Sequence, residues 1–326
     1  MNDPRTYTDE MLGGIYRAHG DMVHFVGNDK RCYAVKDKKE GKVAIITGGG
    51  TGHLPLFLGY VGENLLDGCA VGDVFQSPSA EQIANLTTEL DTGAGVLYLY
   101  GNYTGDIMNF DMAGEMCEID GIQTRSIVGA DDVTSNPDPS ARRGVAGIFF
   151  MYKCAGAVAA RMGTLDDVYA AAEKAKNATR TVGFALTPCI IPEVGRPNFT
   201  LKEDEMAMGM GLHGEPGIWN GPIKSADELA RESIETILTD MPIPAGSEVA
   251  VLVNGLGATS IEELYILLHS VGAILDEKGI QIYRTFVGEF ATSMEMMGAS
   301  ISLMHVDEET KSYLDLPVHT PFYCQK

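Results

Sequence analysis

Basic residues are scarce in this chain. It has 24 Lys and Arg against 45 Asp and Glu, a formal net charge of −21. A surface of that sign repels phosphate backbones, so neither a nucleic acid nor an anionic membrane is an expected partner. There is no run of about 18 apolar residues and no apolar N-terminal segment, so neither a membrane span nor a signal peptide is expected. The six cysteines, Cys32, Cys69, Cys117, Cys154, Cys189 and Cys324, show no C-x-x-C spacing. They read as mostly buried thiols of a reducing, cytoplasmic compartment. No P-loop is present: Gly48-Gly49-Gly50-Thr51-Gly52-His53 runs into Leu54-Pro55 where that motif needs Gly-Lys-Ser/Thr. No cluster of aspartates has metal-ligand spacing.

What is present suffices for two domains. The chain has 326 residues, of which 45% are hydrophobic. Apolar runs at 43–46, 95–100 and 125–129 read as strands, with helical patterns at about 79–90, 106–117 and 145–162 between them. This alternation predicts an α/β fold whose first domain is a mainly parallel sheet covered by helices. The Gly/Pro-rich stretch from Pro188 to about Asn220 marks a boundary. The expected division is residues 1–185 and 186–326, the second a smaller α/β domain. That domain should hold a helix at about 225–239, a strand at 248–253, a helix opened by a Ser260/Glu263 capping box, and strands near 283–287 and 300–306.

Glycine is concentrated where chemistry is expected. Residues 209–217 read Gly-Met-Gly-Leu-His-Gly-Glu-Pro-Gly, which strips side chains from around His213. A neutral imidazole is a nucleophile and can add to a small carbonyl compound. The same pattern also suits a Gly-rich surface turn with an incidental histidine. The run spells G-x-G-x-x-G, yet a dinucleotide site needs a strand before it and a helix after it. Lys202 to Glu205 look too charged for a strand, and Gly-Glu-Pro-Gly cannot open a long helix.

Two further turns follow strands, at the carboxyl ends where α/β folds bind ligands. After the first, His53 is placed either to move a proton or merely to close a tight turn, with glycine N–H groups open to a ligand oxygen. After the second, Asp106 can accept a hydroxyl proton or cap the helix near Ile107. Ser77 or Ser79 reads as a cap for a helix near Ala80. Asn254 to Ser260 and the methionines at 294, 296 and 297 read as structural. Arg142-Arg143 suits a solvated helix start better than a phosphate site.

Seven runs together are specific: GGGTGH (48–53), GDVFQSPS (72–79), NYTGDIMNF (102–110), RRGVAG (142–147), GLHGEPG (211–217), NGLGATS (254–260) and FVGEFATSMEMMGAS (286–300). From about residue 10 to 315 the chain resembles the dihydroxyacetone-binding K subunit of dihydroxyacetone kinases. The resemblance implies a ketose held on His213 as a hemiaminal, His53 and Asp106 at the reacting hydroxyl, and Gly50 backbone in the pocket. It implies two α/β domains and a homodimer. It also implies a separate L subunit that carries ATP or ADP with magnesium, so that no cofactor is expected on this chain. The donor is either ATP or a phosphoprotein of the sugar phosphotransferase system acting through that subunit. Two positions depart from the family. Leu54 stands where Glu is usual, and Gly101 where Lys is usual. They leave open a larger ketose such as a tetrulose, and also a ketose-binding co-regulator of a transcription factor.

Overall fold

The computed structural model describes residues 1–326. In chain order it runs α1 (Tyr7–His19), β1 (Val23–Phe25), β2 (Cys32–Val35), β3 (Ala44–Thr51), β4 (Gly68–Val74), α2 (Ala80–Leu90), β5 (Val96–Gly101), α3 (Thr104–Ile119), β6 (Thr124–Gly129), α4 (Ile148–Ala160) and α5 (Leu165–Asn177). It continues with β7 (Thr179–Ala185), β8 (Glu205–Met208), β9 (Trp219–Pro222), α6 (Ala226–Asp240), β10 (Glu248–Gly255), α7 (Ile261–Glu277), β11 (Gln281–Gly288), β12 (Gly298–Val306), α8 (Glu308–Leu314), β13 (Val318–His319) and β14 (Cys324–Gln325). No helix is long and apolar enough to cross a membrane.

Two compact units interleave along the sequence. The first comprises Met1–Gly129, Met151–Lys174 and Ser312–Lys326, and the second Ala130–Phe150 and Ala175–Lys311. This differs from the expected division at residue 185. Strand β7 precedes that boundary, yet it pairs with β12 and β8 and so lies in the second sheet. The second sheet also equals the first in strand number.

The first sheet has the order β1-β2-β4-β3-β5-β6. Strands β4, β3, β5 and β6 are mutually parallel, and β1 and β2 add an antiparallel edge. Strand β5, Val-Leu-Tyr-Leu-Tyr-Gly, is buried throughout, as a parallel strand covered on both faces must be. Helix α2 presents Ala80, Ile83, Ala84, Thr87 and Leu90 inward at helical spacing. Ser79 and Gln82 close a capping box at its start. Phe110 of α3 stacks on Tyr100 of β5 with centroids 4.0 Å apart and planes 6° apart.

The second sheet has the order β11-β10-β12-β7-β8-β9, with only the β10–β11 pair parallel. Helix α6 begins with a Ser225/Glu228 capping box and buries Leu229, Ala230, Ile234 and Ile237. Helix α7 begins at Ser260, whose hydroxyl accepts from the Glu263 N–H, half of the expected box. Both helices pack into one core with β7, β10 and β12. Asn254 is structural, as expected. Its Oδ1 accepts from the N–H groups of Phe290 and Ala291, and its Nδ2 donates to Ala291 O. Of the three methionines, Met296 is in the core and Met297 is exposed.

Candidate functional site

In the first unit the chemistry collects at the carboxyl ends of β3, β4 and β5. Strand β3 is flanked by β4 on one side and β5 on the other. The chain therefore leaves β3 toward one side and β5 toward the opposite side, toward β6. That reversal is a topological switch point, the place outside the strand ends where open α/β sheets bind ligands. His53 lies just past β3, and Asp106 lies in the first turn after β5.

The glycine run before His53 is not a turn, as expected, but the end of β3 itself. Gly50 lies opposite Gly72 of β4. A Cβ on Gly50 would sit 2.7 Å from Gln76 N and Phe75 Cα and 2.8 Å from Phe75 N. Phe75 has φ +60°, a costly conformation for a bulky residue that persists only where its surroundings dictate it. It lays its ring on the His53 imidazole with centroids 4.8 Å apart and planes 16° apart. Phe57 approaches the imidazole edge-on at 6.2 Å. His53 is thus buried in an aromatic clamp and is not the surface turn residue of the alternative reading.

The Cβ geometry makes Gly50→Ala disruptive, because backbone must yield and not a flexible side chain. The expected loss is about 1–3 kcal/mol of stability, the usual cost of overpacking. Gly13 on α1 is the control. A Cβ there meets nothing within 4 Å, so Gly13→Ala should be neutral or stabilise by up to about 1 kcal/mol. Denaturant unfolding of both variants reads the difference; equal, small effects would show that the β3–β4 approach is not tight.

Asp106 is buried at the third position of α3, which begins at Thr104, so it is not the helix cap that the sequence allowed. The cap position is Tyr103, which has no side-chain capping bond. Asn109 Nδ2 donates to Pro78 O at 2.7 Å and ties α3 to the turn after β4. Beneath the strand ends, Thr47 and Tyr152 share a 2.8 Å hydroxyl hydrogen bond. Burial first, and then the charge of Asp106, pushes the Cys69 thiol well above its ordinary value. The same charge acts on the buried Tyr152 hydroxyl.

His213 belongs to the second unit, in the loop between β8 and β9. Its Nδ1 lies 2.7 Å from Glu215 Oε1, and its backbone N–H donates to Glu215 Oε2 at 3.0 Å. Asn198 Nδ2 donates to His213 O, and Ser293 Oγ to Leu212 O. Burial pushes the Glu215 carboxyl up, but hydrogen bonding from His213 and the charges of His213 and Arg143 outweigh it and hold the group at about 2. Glu215 is therefore a carboxylate at neutral pH, and a carboxylate only accepts. Facing that acceptor, the imidazole in its neutral form carries its proton on Nδ1 and its lone pair on Nε2. Gly211 is required here: a Cβ would lie 2.1 Å from Glu215 Oε2 and 2.5 Å from Arg143 Nη1.

Sequence reasoning missed Glu215 and Arg143. Arg143 is not part of a solvated helix start, because α4 begins only at Ile148. It pairs with buried Asp132 at 2.8 Å, donates to Gly209 O at 2.9 Å and lies 3.9 Å from Glu215. Arg142 is buried and holds Asp240 through two nitrogens. The G-x-G-x-x-G run does follow a strand, β8, against the expectation from its charged flank. What comes after it is β9, so the helix of a dinucleotide site is missing.

The Dak1 domain model matches residues 13–322. Over 324 residues the chain is 44% identical to PTS-dependent dihydroxyacetone kinase 2, dihydroxyacetone-binding subunit DhaK, of Listeria innocua serovar 6a, covering 99% of this chain and 98% of that one. It is 40% identical over 325 residues to D-erythrulose kinase of Mycolicibacterium smegmatis, covering 99% of this chain but 56% of the larger protein. Among solved structures it is similar to the dihydroxyacetone kinase operon co-activator Dha-DhaQ, with a TM-score of 0.90 and 31% identity over 95% of this chain and 96% of that one. Three of the seven signature runs lie at the ends of β3, β4 and β5 and a fourth is the His213 loop, and the match extends from the first helix to past β13. The chain belongs to the Dak1 domain family.

Proposed function

We propose that this chain is the ketose-carrying subunit of a short-chain ketose kinase. His213 Nε2 adds to the substrate carbonyl and holds the ketose as a hemiaminal. His53 and Asp106 engage the hydroxyl that accepts the phosphoryl group, with Gly50 backbone beside it. The carrying observation is an imidazole whose Nδ1 is bonded to a carboxylate in a loop stripped of side chains. That arrangement prepares the other nitrogen as a nucleophile. Covalent capture selects ketones and aldehydes over glycerol by reactivity, and it immobilises the hydroxyl for transfer.

Phosphoryl transfer would then need a nucleotide-binding L-type subunit, with ATP or a phosphotransferase-system phosphoprotein as donor; the proposed state of this chain is a homodimer. The test combines the chain, an L-type subunit, donor, magnesium and a panel of ketoses, and follows phosphate transfer. A crystal soaked in dihydroxyacetone or erythrulose locates the adduct. The similarity to an operon co-activator favours one second reading, a ketose sensor that contacts a transcription regulator. Adduct formation without transfer to any ketose would support the sensor and overturn the kinase.

Substrate choice is proposed to rest on Leu54 and Gly101. Gly101 ends β5 and is buried, and half-buried Leu54 follows His53. Gly101→Lys refills that strand end and adds a cationic donor. A hydrogen bond to a charged group contributes about 1.5–3 kcal/mol, so preference should move about tenfold or more toward dihydroxyacetone and away from erythrulose. Competition assays on the wild type, Gly101→Lys, Leu54→Glu and the double variant measure this. An unchanged ratio in all four would detach substrate choice from these positions.

A further inference from the structure

The second unit contains a chain of charges, Asp132, Arg143 and Glu215, of which the ketose-carrier reading uses only the contact of Glu215 with the His213 ring. Asp132, 2% exposed, receives Arg143 Nε at 3.0 Å and Nη2 at 2.8 Å. Arg143 also grips Gly209 O, where the His213 loop begins, and approaches Glu215 Oε2, where the loop turns back. Glu215 spends Oε2 on Arg143 and on the His213 N–H, and Oε1 on His213 Nδ1. The loop closes on itself through the Gly211 N–H to Glu215 O and the Gly214 N–H to Gly211 O. One carboxylate therefore fixes both the backbone and the ring of His213. A guanidinium anchored on a buried aspartate lies 3.9 Å from that carboxylate and places a positive charge beside it.

Addition to a carbonyl changes the charge on this ring. As the Nε2 lone pair forms the N–C bond, the carbonyl π pair moves to oxygen, which takes a proton from solvent water and leaves hydroxide to the bulk, so capture takes up one proton overall. The ring keeps its Nδ1 proton and becomes an alkylated cation. An isolated cation in a partly buried loop is disfavoured, and release of the Nδ1 proton would leave two lone pairs facing each other across 2.7 Å. A carboxylate in contact with Nδ1 removes both difficulties, as the aspartate of a catalytic triad does for its imidazolium without itself becoming protonated.

We propose that Glu215 is the charge partner of the His213 adduct, so that the covalent carrier is an imidazolium–carboxylate pair, and that Arg143 and Asp132 are positioning residues for that carboxylate. The role deepens the ketose-carrier reading and rests on it. Glu215→Gln retains a hydrogen-bond acceptor and removes the charge. It should weaken the adduct about 10- to 100-fold, the range expected for losing a charge-assisted hydrogen bond. Glu215→Asp should recover part of the loss. Arg143→Lys keeps a positive charge but loses the fork, and should weaken the adduct by a smaller factor.

The experiment is a titration of the full chain with dihydroxyacetone labelled with carbon-13 at the carbonyl, with histidine labelled with nitrogen-15. Conversion of the carbonyl carbon to a tetrahedral centre reports the adduct. The ring nitrogens report whether Nδ1 keeps its proton, a readout that a merely structural role for Glu215 would not move. The expected result is a wild-type adduct with Nδ1 protonated at neutral pH, and weaker adducts in the order Arg143→Lys, Glu215→Asp, Glu215→Gln. A wild-type adduct with an unprotonated Nδ1, or Glu215→Gln capturing the ketose as tightly as wild type, overturns the charge pair and leaves the carrier reading standing. No wild-type adduct on His213 overturns both. If Glu215→Gln does not fold, the Nδ1 readout on wild type and the Arg143→Lys affinity decide the matter alone.

Discussion

His213→Ala should abolish covalent ketose capture, an effect larger than that of any other single change. The reason is the lack of a competitor as much as the presence of the imidazole. Five of the six thiols are buried. Burial raises Cys69 well above its ordinary value and Cys32 to about 12, so neither supplies thiolate at neutral pH. Lys153 is buried with its ammonium donating to Leu316 O at 2.7 Å. Cys324 is exposed and stays in the variant, where it serves as an internal control. Borohydride trapping reads a hemiaminal poorly, so the decisive measurement is a crystal of each protein soaked in dihydroxyacetone or erythrulose. Continuous density from any residue other than 213 to the ligand would remove His213 from its role. Density absent from the variant but present in the wild type would fix it there.

The parts of the fold that a single sequence revealed are those with strong periodicity. Strands β5, β6 and β10 and helices α2 and α6 announce themselves by continuous apolar runs, or by a cap followed by inward residues at helical spacing. Strands β8 and β9 did not. Each has four residues, β8 starts on a charged one, and β9 contains Gly and Pro. Their strand state comes from pairing with β7 and with each other, which is tertiary information. The interleaved units were hidden for the same reason, since one partner of β7, strand β12, lies more than a hundred residues downstream.

The site divided along the same line. Glycine runs marked His53 and His213, because a close backbone approach leaves a trace in composition. Asp106 was visible as a carboxylate, yet its helix position was not, since α3 starts two residues before it and not after it. Glu215 stood two residues from His213 and passed unnoticed. Nothing in the spelling says that its carboxylate turns back onto the ring. Arg143 arrives from 70 residues upstream, and only a folded chain joins it to that loop. The spacing that could have pointed to the pair is the glycine at 211, whose missing Cβ clears the room that both charged groups occupy.

Asp106→Asn is the second large effect, and it separates chemistry from structure. The substitution keeps the shape of the side chain at the third position of α3. It removes one negative charge from a helix N-terminus, which in a buried position costs up to about 2 kcal/mol of stability. An amide cannot take the proton of the reacting hydroxyl, however, and loss of a general base typically lowers turnover about 10²–10⁴-fold. Capture on His213 involves a different atom of the substrate and should stay within a few-fold of wild type. The two steps are read separately: adduct formation from the labelled carbonyl carbon in the chain alone, and turnover from phosphate transfer with an L-type subunit at saturating ketose. A drop in turnover with capture intact assigns Asp106 to the hydroxyl. Turnover within a few-fold of wild type would reduce it to an acidic residue that favours the start of α3, and would leave His53, clamped between Phe57 and Phe75, as the proton acceptor.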